Sequence, residues 1–143
     1  EMITDYWKDT GTPDDIIHAN GEVLKNMKSY NNGQIDDTVE LKNNIMIGSG
    51  TKIHHNSKII GPCIIGENCQ IGPNVILGPN VSLGNDSILS DCNIENSILM
   101  TNCSITSKIK IKNSILASNS KITIDENNDQ KTFLLGEGTV ISL

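Results

Sequence analysis

The chain has 143 residues, four cysteines, an aromatic content of 3% and a formal net charge of −6. Acidity and scarce aromatics argue against nucleic acid or an anionic membrane as partner. Its 11 basic residues are all lysine, which removes the bidentate arginine clamps that strong phosphate or coenzyme sites use.

No apolar run approaches a membrane span, and no signal peptide is visible. A reduced cytoplasm is the expected compartment. The chain opens at Glu1 inside an expected strand over residues 1–8. A fragment of a longer gene product is therefore expected.

Thr12-Pro13-Asp14-Asp15 is a helix start. Thr12 caps, Pro13 suits the first helical position, and two acids favour the positive end of the dipole. Thr12 and Asp15 have capping-box spacing. Ile16, Ile17, Ala19, Val23, Leu24 and Met27 recur with helical period, predicting a helix from Pro13 to about Lys28. Residues 29–34 (SYNNGQ) read as a linker.

Nine six-residue units then run unbroken over residues 35–88: IDDTVE, LKNNIM, IGSGTK, IHHNSK, IIGPCI, IGENCQ, IGPNVI, LGPNVS and LGNDSI. The first position is always Ile or Leu. The fifth is small or β-branched. The fourth is Asn44, Gly50, Asn56, Asn68, Asn74, Asn80 or Asp86 in seven units, the residue types that adopt φ > 0 at least cost. A fixed period means a solenoid. Six is no multiple of 3.6, so a helix is excluded, and turn signals recur too often for hairpins. Three units per coil give a triangular prism whose first and fifth positions point inward.

After Ile88 the period slips. Ser87, Cys92, Ser97 and Cys103 are spaced five, five and six, and Ile105, Ile111 and Ile122 imply further coils. Residues 125–131 (DENNDQK) read as an excursion within a loop near 125–133, and residues 135–140 (LGEGTV) as a closing strand. Cys63, Cys69, Cys92 and Cys103 lack CxxC spacing and are read as small buried hydrophobes.

The hexads resemble the left-handed β-helix family. The resemblance implies an all-β solenoid, a left-handed parallel β-helix of hexapeptide repeats over residues 35–143, preceded by one α-helix. Left-handedness comes from the resemblance alone.

A more specific resemblance lies ahead of the repeat. Tyr6-Trp7-Lys8-Asp9-Thr10-Gly11-Thr12-Pro13-Asp14-Asp15, followed by Ala19-Asn20 and Leu24, resembles the closing segment of a sugar-1-phosphate nucleotidylyltransferase catalytic domain. With a β-helix following, the chain is similar to the C-terminal region of long-form glucose-1-phosphate thymidylyltransferases. The resemblance implies that residues 1–28 close a catalytic domain whose remainder lies upstream. It implies that Asp9 is a ligand of the catalytic Mg²⁺ in the parent enzyme, with nucleotide and sugar phosphate bound there. It also implies no cofactor and no turnover for this stretch alone. Mg²⁺ suits one or two carboxylates completed by substrate phosphates. The coil is expected to provide assembly, as a homotrimer packed through flat faces.

The alternative is acyl transfer. Left-handed β-helices also include acetyltransferases, which imply acetyl-CoA and an amino-sugar 1-phosphate, with a general base on the coil. His54 and His55 are the candidates. The missing arginine and the uninterrupted hexads count against this reading. A zinc carbonic anhydrase needs three histidines on the coil, and His18 lies on the helix instead.

Overall fold

Parallel strands separated by one full coil form the ladders of this protein. A computed structural model describes residues 12–125 and 130–142. Ile47 pairs with Ile65, Ile53 with Ile71 and Ile59 with Leu77. Each pair is 18 residues apart, which is three hexads per coil. The result is the expected left-handed parallel β-helix, about five turns long, with one N-terminal helix.

After Ile88 the coils shorten as the spacing implied. Leu83 pairs with Leu99 and Leu89 with Ile105, 16 residues apart. Ile94 pairs with Ile111 and Ile105 with Ile122, 17 apart. Both inward ladders continue through the slip. Ile47, Ile53, Ile59, Ile65, Ile71, Leu77, Leu83, Leu89, Ile94, Leu99, Ile105, Ile111, Leu116 and Ile122 are buried.

Most corners are built by one rule. A residue in the left-handed region is followed at once by the small inward residue. Gly50, Asn56, Asn68, Asn74, Asn80 and Asp86 have φ between 58° and 79°. They precede Thr51, Ser57, Cys69, Val75, Val81 and Ser87. Asp91, Asn96, Asn102, Asn113 and Asn119 continue the series before Cys92, Ser97, Cys103, Ser114 and Ser120. One expected corner moves: Asn43, not Asn44, takes positive φ. Asn44 is occupied otherwise, since its Nδ2 donates to the carbonyl of Met27 and its Oδ1 accepts from the Ser29 hydroxyl.

The corner also interrupts the backbone ladder, and buried amides need partners. Inward hydroxyls supply several. Thr51 Oγ1 accepts from the Cys69 amide at 3.1 Å and donates to the Gly66 carbonyl at 2.6 Å. Ser57, Ser87 and Ser97 accept from the amides of Val75, Cys103 and Ser114.

The first coil starts earlier than the hexads. Tyr30–Asn31 pairs with the strand Ile45–Ile47, and Gln34–Ile35 with Lys52–Ile53. The stretch expected as a linker is thus part of the solenoid. Leu41, a first-position residue, is 42% exposed because nothing described covers that end.

The helix, α1, spans Pro13–Lys25 and has the expected capping box between Thr12 and Asp15. It stops three residues earlier than predicted, at the cap residue Asn26. It lies along one lateral face of the solenoid rather than over an end. That face carries an outward apolar ladder of Met46, Ile64, Ile98 and Ile115, with Ser82 between the Ile64 and Ile98 rungs. Ile17, Gly21 and Leu24 are buried against it. Asn20 Oδ1 accepts from the Ser82 hydroxyl at 2.7 Å. The lengths match: 13 residues at about 1.5 Å each equal four strand spacings of about 4.8 Å.

The C-terminal end closes with reversed strands. Lys121–Asp125 and Gln130–Leu134 form an antiparallel hairpin, so residues 130–133, expected as loop, are strand instead because they pair back onto the last coil. Val140–Ser142 pairs antiparallel with Lys110–Leu116. The closing strand expected over residues 135–140 therefore forms at its C-terminal edge and runs against the coil direction.

Gly21 tests the docking of α1. A Cβ there would meet Asn80 Oδ1 at 3.6 Å, an ordinary contact. Glycine inside a helix costs about 0.5–1 kcal/mol relative to alanine. Gly21→Ala is expected to raise urea-unfolding stability by that amount. A loss instead would mean the helix packs closer to the coil than described.

The thiols give a pH signature. All four cysteines are free and buried. Burial pushes Cys63 and Cys92 up to about 12 from an ordinary 9.0. Below the ordinary value folded and unfolded thiols both stay protonated and contribute nothing. Above it the unfolded thiols ionise and the folded ones do not, so stability falls as pH rises towards 12. Each thiol contributes about 1.4 kcal/mol per pH unit across that window. Unfolding measured at about pH 8 and about pH 10.5 should show this loss, reduced in Cys63→Val/Cys92→Val. Equal pH dependence in the variant would contradict thiol burial as the cause.

Candidate functional site

Two strands of the second face, Gln34–Ile35 and Lys52–Ile53, carry the only polar constellation that the sequence singled out and the structure describes. Gln34, Ile35, Asp36, Lys52, Ile53 and His54 line a shallow hollow of about 270 Å³. His54 is half-buried, and its Nε2 lies 2.9 Å from Gln70 Oε1. Facing an amide oxygen, Nε2 is placed to donate. His55 is exposed at the corner.

Asp36 enters from the preceding coil. Its carboxylate accepts from the Thr38 amide at 2.9 Å and the Thr38 hydroxyl at 2.7 Å. Those two bonds, the amide first, hold it below the usual carboxylate range, and both imidazoles add in the same direction. Sequence reasoning missed Asp36. The signal was available, because residues 18 apart share a face and Asp36 stands 18 before His54.

This group can hold a proton acceptor, but it lacks what normally makes one strong. An amide, not a carboxylate, orients His54, so the partner adds no charge to the ring. Among the described residues no cluster of three or more His, Cys, Asp or Glu could hold a metal ion. Asp9 lies outside the described residues. Asn20, part of the Ala19-Asn20 pair, binds Ser82 on the coil.

The comparisons with known proteins agree on shape, and a family model shows the family. The family model described as the GMPPB C-terminal domain matches residues 59–142, more than half of the chain. The chain belongs to the GMPPB C-terminal domain family. The match takes in the later coils and the closing strands, and it leaves His54 and His55 outside. Helix α1 is outside it as well.

Among curated relatives of this family member, a glucose-1-phosphate thymidylyltransferase of Streptomyces antibioticus is 35% identical over 65 residues. That alignment covers 46% of this chain and 18% of the relative. A bifunctional protein GlmU of Methanococcus aeolicus is 37% identical over 51 residues, covering 36% of this chain and 12% of the relative. The chain thus spans less than a fifth of the length of either relative. Among solved structures, a perosamine N-acetyltransferase of Caulobacter crescentus in complex with CoA and GDP-perosamine superposes with a TM-score of 0.65 at 16% identity. It covers 96% of this chain and 72% of the other, and at that identity it shows the fold alone. No described helix is long and apolar enough to cross a membrane.

Proposed function

We propose that this chain is the assembly region at the C-terminus of a sugar-1-phosphate nucleotidylyltransferase. The parent reaction is glucose 1-phosphate with dTTP, giving dTDP-glucose and pyrophosphate in the cytoplasm. The family match to a GMPPB C-terminal domain carries this reading, and the aligned thymidylyltransferase supports it. Asp9 is the expected Mg²⁺ ligand in the parent enzyme. The metal would neutralise charge while the sugar phosphate attacks the nucleotide α-phosphate. Helix α1 would carry the catalytic domain on one face of the coil.

The faces that remain open support the trimer reading. One face is covered by α1. The other two present Ile76 and Ile88, 41% and 45% exposed, at outward strand positions. Flat faces of this kind pack about a closed symmetry axis.

Acyl transfer is the second reading, favoured by the half-buried His54 between Gln70 and Asp36. Acetyl-CoA and an amino-sugar 1-phosphate would be its substrates, and His54 or His55 its base.

One set of assays separates the two. The assembly reading predicts sedimentation as a trimer at micromolar concentration. It also predicts no turnover of dTTP with glucose 1-phosphate and no thiol release from acetyl-CoA with glucosamine 1-phosphate. Thiol release abolished by His54→Ala or His55→Ala would establish acyl transfer instead. A monomer at that concentration would remove the assembly role.

A further inference from the structure

Three glycines stack beside the face that carries α1. Gly48, Gly66 and Gly84 each follow directly after one of its strands, Ile45–Ile47, Cys63–Ile65 and Val81–Leu83. The Gly48 amide donates to the Ile65 carbonyl and the Gly66 amide to the Leu83 carbonyl, so the column runs coil on coil. Asn32, whose amide donates to the Ile47 carbonyl, heads it. A side chain has no room there. A Cβ on Gly48 would meet the Gly66 backbone at 2.7 Å, and one on Gly66 would collide with Asn85 Oδ1. The missing side chains leave a trough beside the outward ladder of Tyr30, Met46 and Ile64.

That trough holds a hollow of about 300 Å³. Tyr30, 48% exposed, lines it together with Ile64. Asn32, Ser49, Glu67 and Asn85 supply its polar groups. Two of these are held in place. The Ser49 hydroxyl donates to Glu67 Oε2 at 3.0 Å, and Asn85 Oδ1 accepts from the Glu67 amide at 2.8 Å. Glu67 Oε1 is left to accept and Asn85 Nδ2 to donate. Among the described residues, no lysine or histidine lines the hollow.

We propose that this hollow binds an unphosphorylated sugar, neutral or amino, with one pyranose ring laid on Tyr30. The chemistry of the lining selects the class. An aromatic ring takes the C–H side of a sugar. The sugar's hydroxyls each donate and accept, and an amide and a carboxylate fixed side by side satisfy both roles. A phosphate finds no cation here and meets the Glu67 carboxylate instead. The site is therefore distinct in kind from one for sugar phosphates or nucleotides. It rests on the geometry of the trough and not on the proposed activity, so turnover plays no part in its test.

Amide chemical shifts of the full chain, titrated separately with glucose, mannose, glucosamine and glucose 1-phosphate, test it. At least one of the three unphosphorylated sugars should shift Gly48, Gly66, Glu67 and Asn85 saturably at millimolar concentration. Glucosamine should bind more tightly than glucose, because Glu67 faces its ammonium. Glucose 1-phosphate should bind at least about tenfold more weakly than glucose. Tyr30→Ala should weaken sugar binding about tenfold. Should that variant fail to fold, Tyr30→Leu keeps the bulk and removes the ring. Glu67→Gln should erase the advantage of glucosamine and keep glucose binding. No saturable shift with any of the three sugars overturns the proposal. So do shifts that survive removal of the ring, or equal binding of glucose 1-phosphate.

Discussion

The corner is the constraint on which this structure depends. Three times per coil the backbone must bend within one or two residues and still stack on the coil before it. At most corners a left-handed residue makes the bend, and asparagine or glycine adopts that conformation at low cost. The next side chain lies inside the bend and must be small. Because the bend breaks the strand ladder, its amide needs another acceptor, and Thr51, Ser57, Ser87 and Ser97 provide one from the coil before. Asparagine ladders add a second connection outside, as Asn102 donates to Asn119 at 2.8 Å. Spacing can drop from six to five and the coil survives, provided the pair of residues stays together.

The corner rule governs the inside of the prism, and the helix depends on the outside. Elsewhere outward positions are mostly polar, as with Lys52, Gln70 and Ser104 on one face, where Ile88 stands between the last two. On the neighbouring face the same positions hold Met46, Ile64, Ile98 and Ile115, and α1 covers them. The helix is therefore part of the solenoid's packing, not an appendage of it. A preceding domain would inherit a fixed position through it.

Much of this was legible in the residues themselves. The period gave three units per coil, and the spacing of Ser87, Cys92, Ser97 and Cys103 marked where coils shorten. The capping box at Thr12 placed the helix start. Less visible was the first coil, because Ser29 to Gln34 looks like a linker by composition while its strands pair only with residues 16 to 18 further on. The course of α1 was missed for a related reason. Its target is a ladder of sixth-position residues that repeats only every third unit, too sparse to stand out in a linear reading. Asp36 was hidden the same way, one coil from His54. Of the candidate site, the histidines were found, but their modest environment depended on Gln70, which only stacking reveals. Asp9 lies outside the described residues.

Function follows this division. The coil is uniform, closed at its corners and poor in groups that perturb one another, which suits a scaffold. The family relation lies in the later coils and the cap. The central claim is that α1 and the coils are one cooperative unit. Native-state hydrogen exchange tests it most directly. The account predicts that amides of Gly21 and Leu24 exchange with the same free energy as Ile65 and Leu83, the paired amides beneath them. Fast exchange of the helix, with the coils still protected, would contradict it.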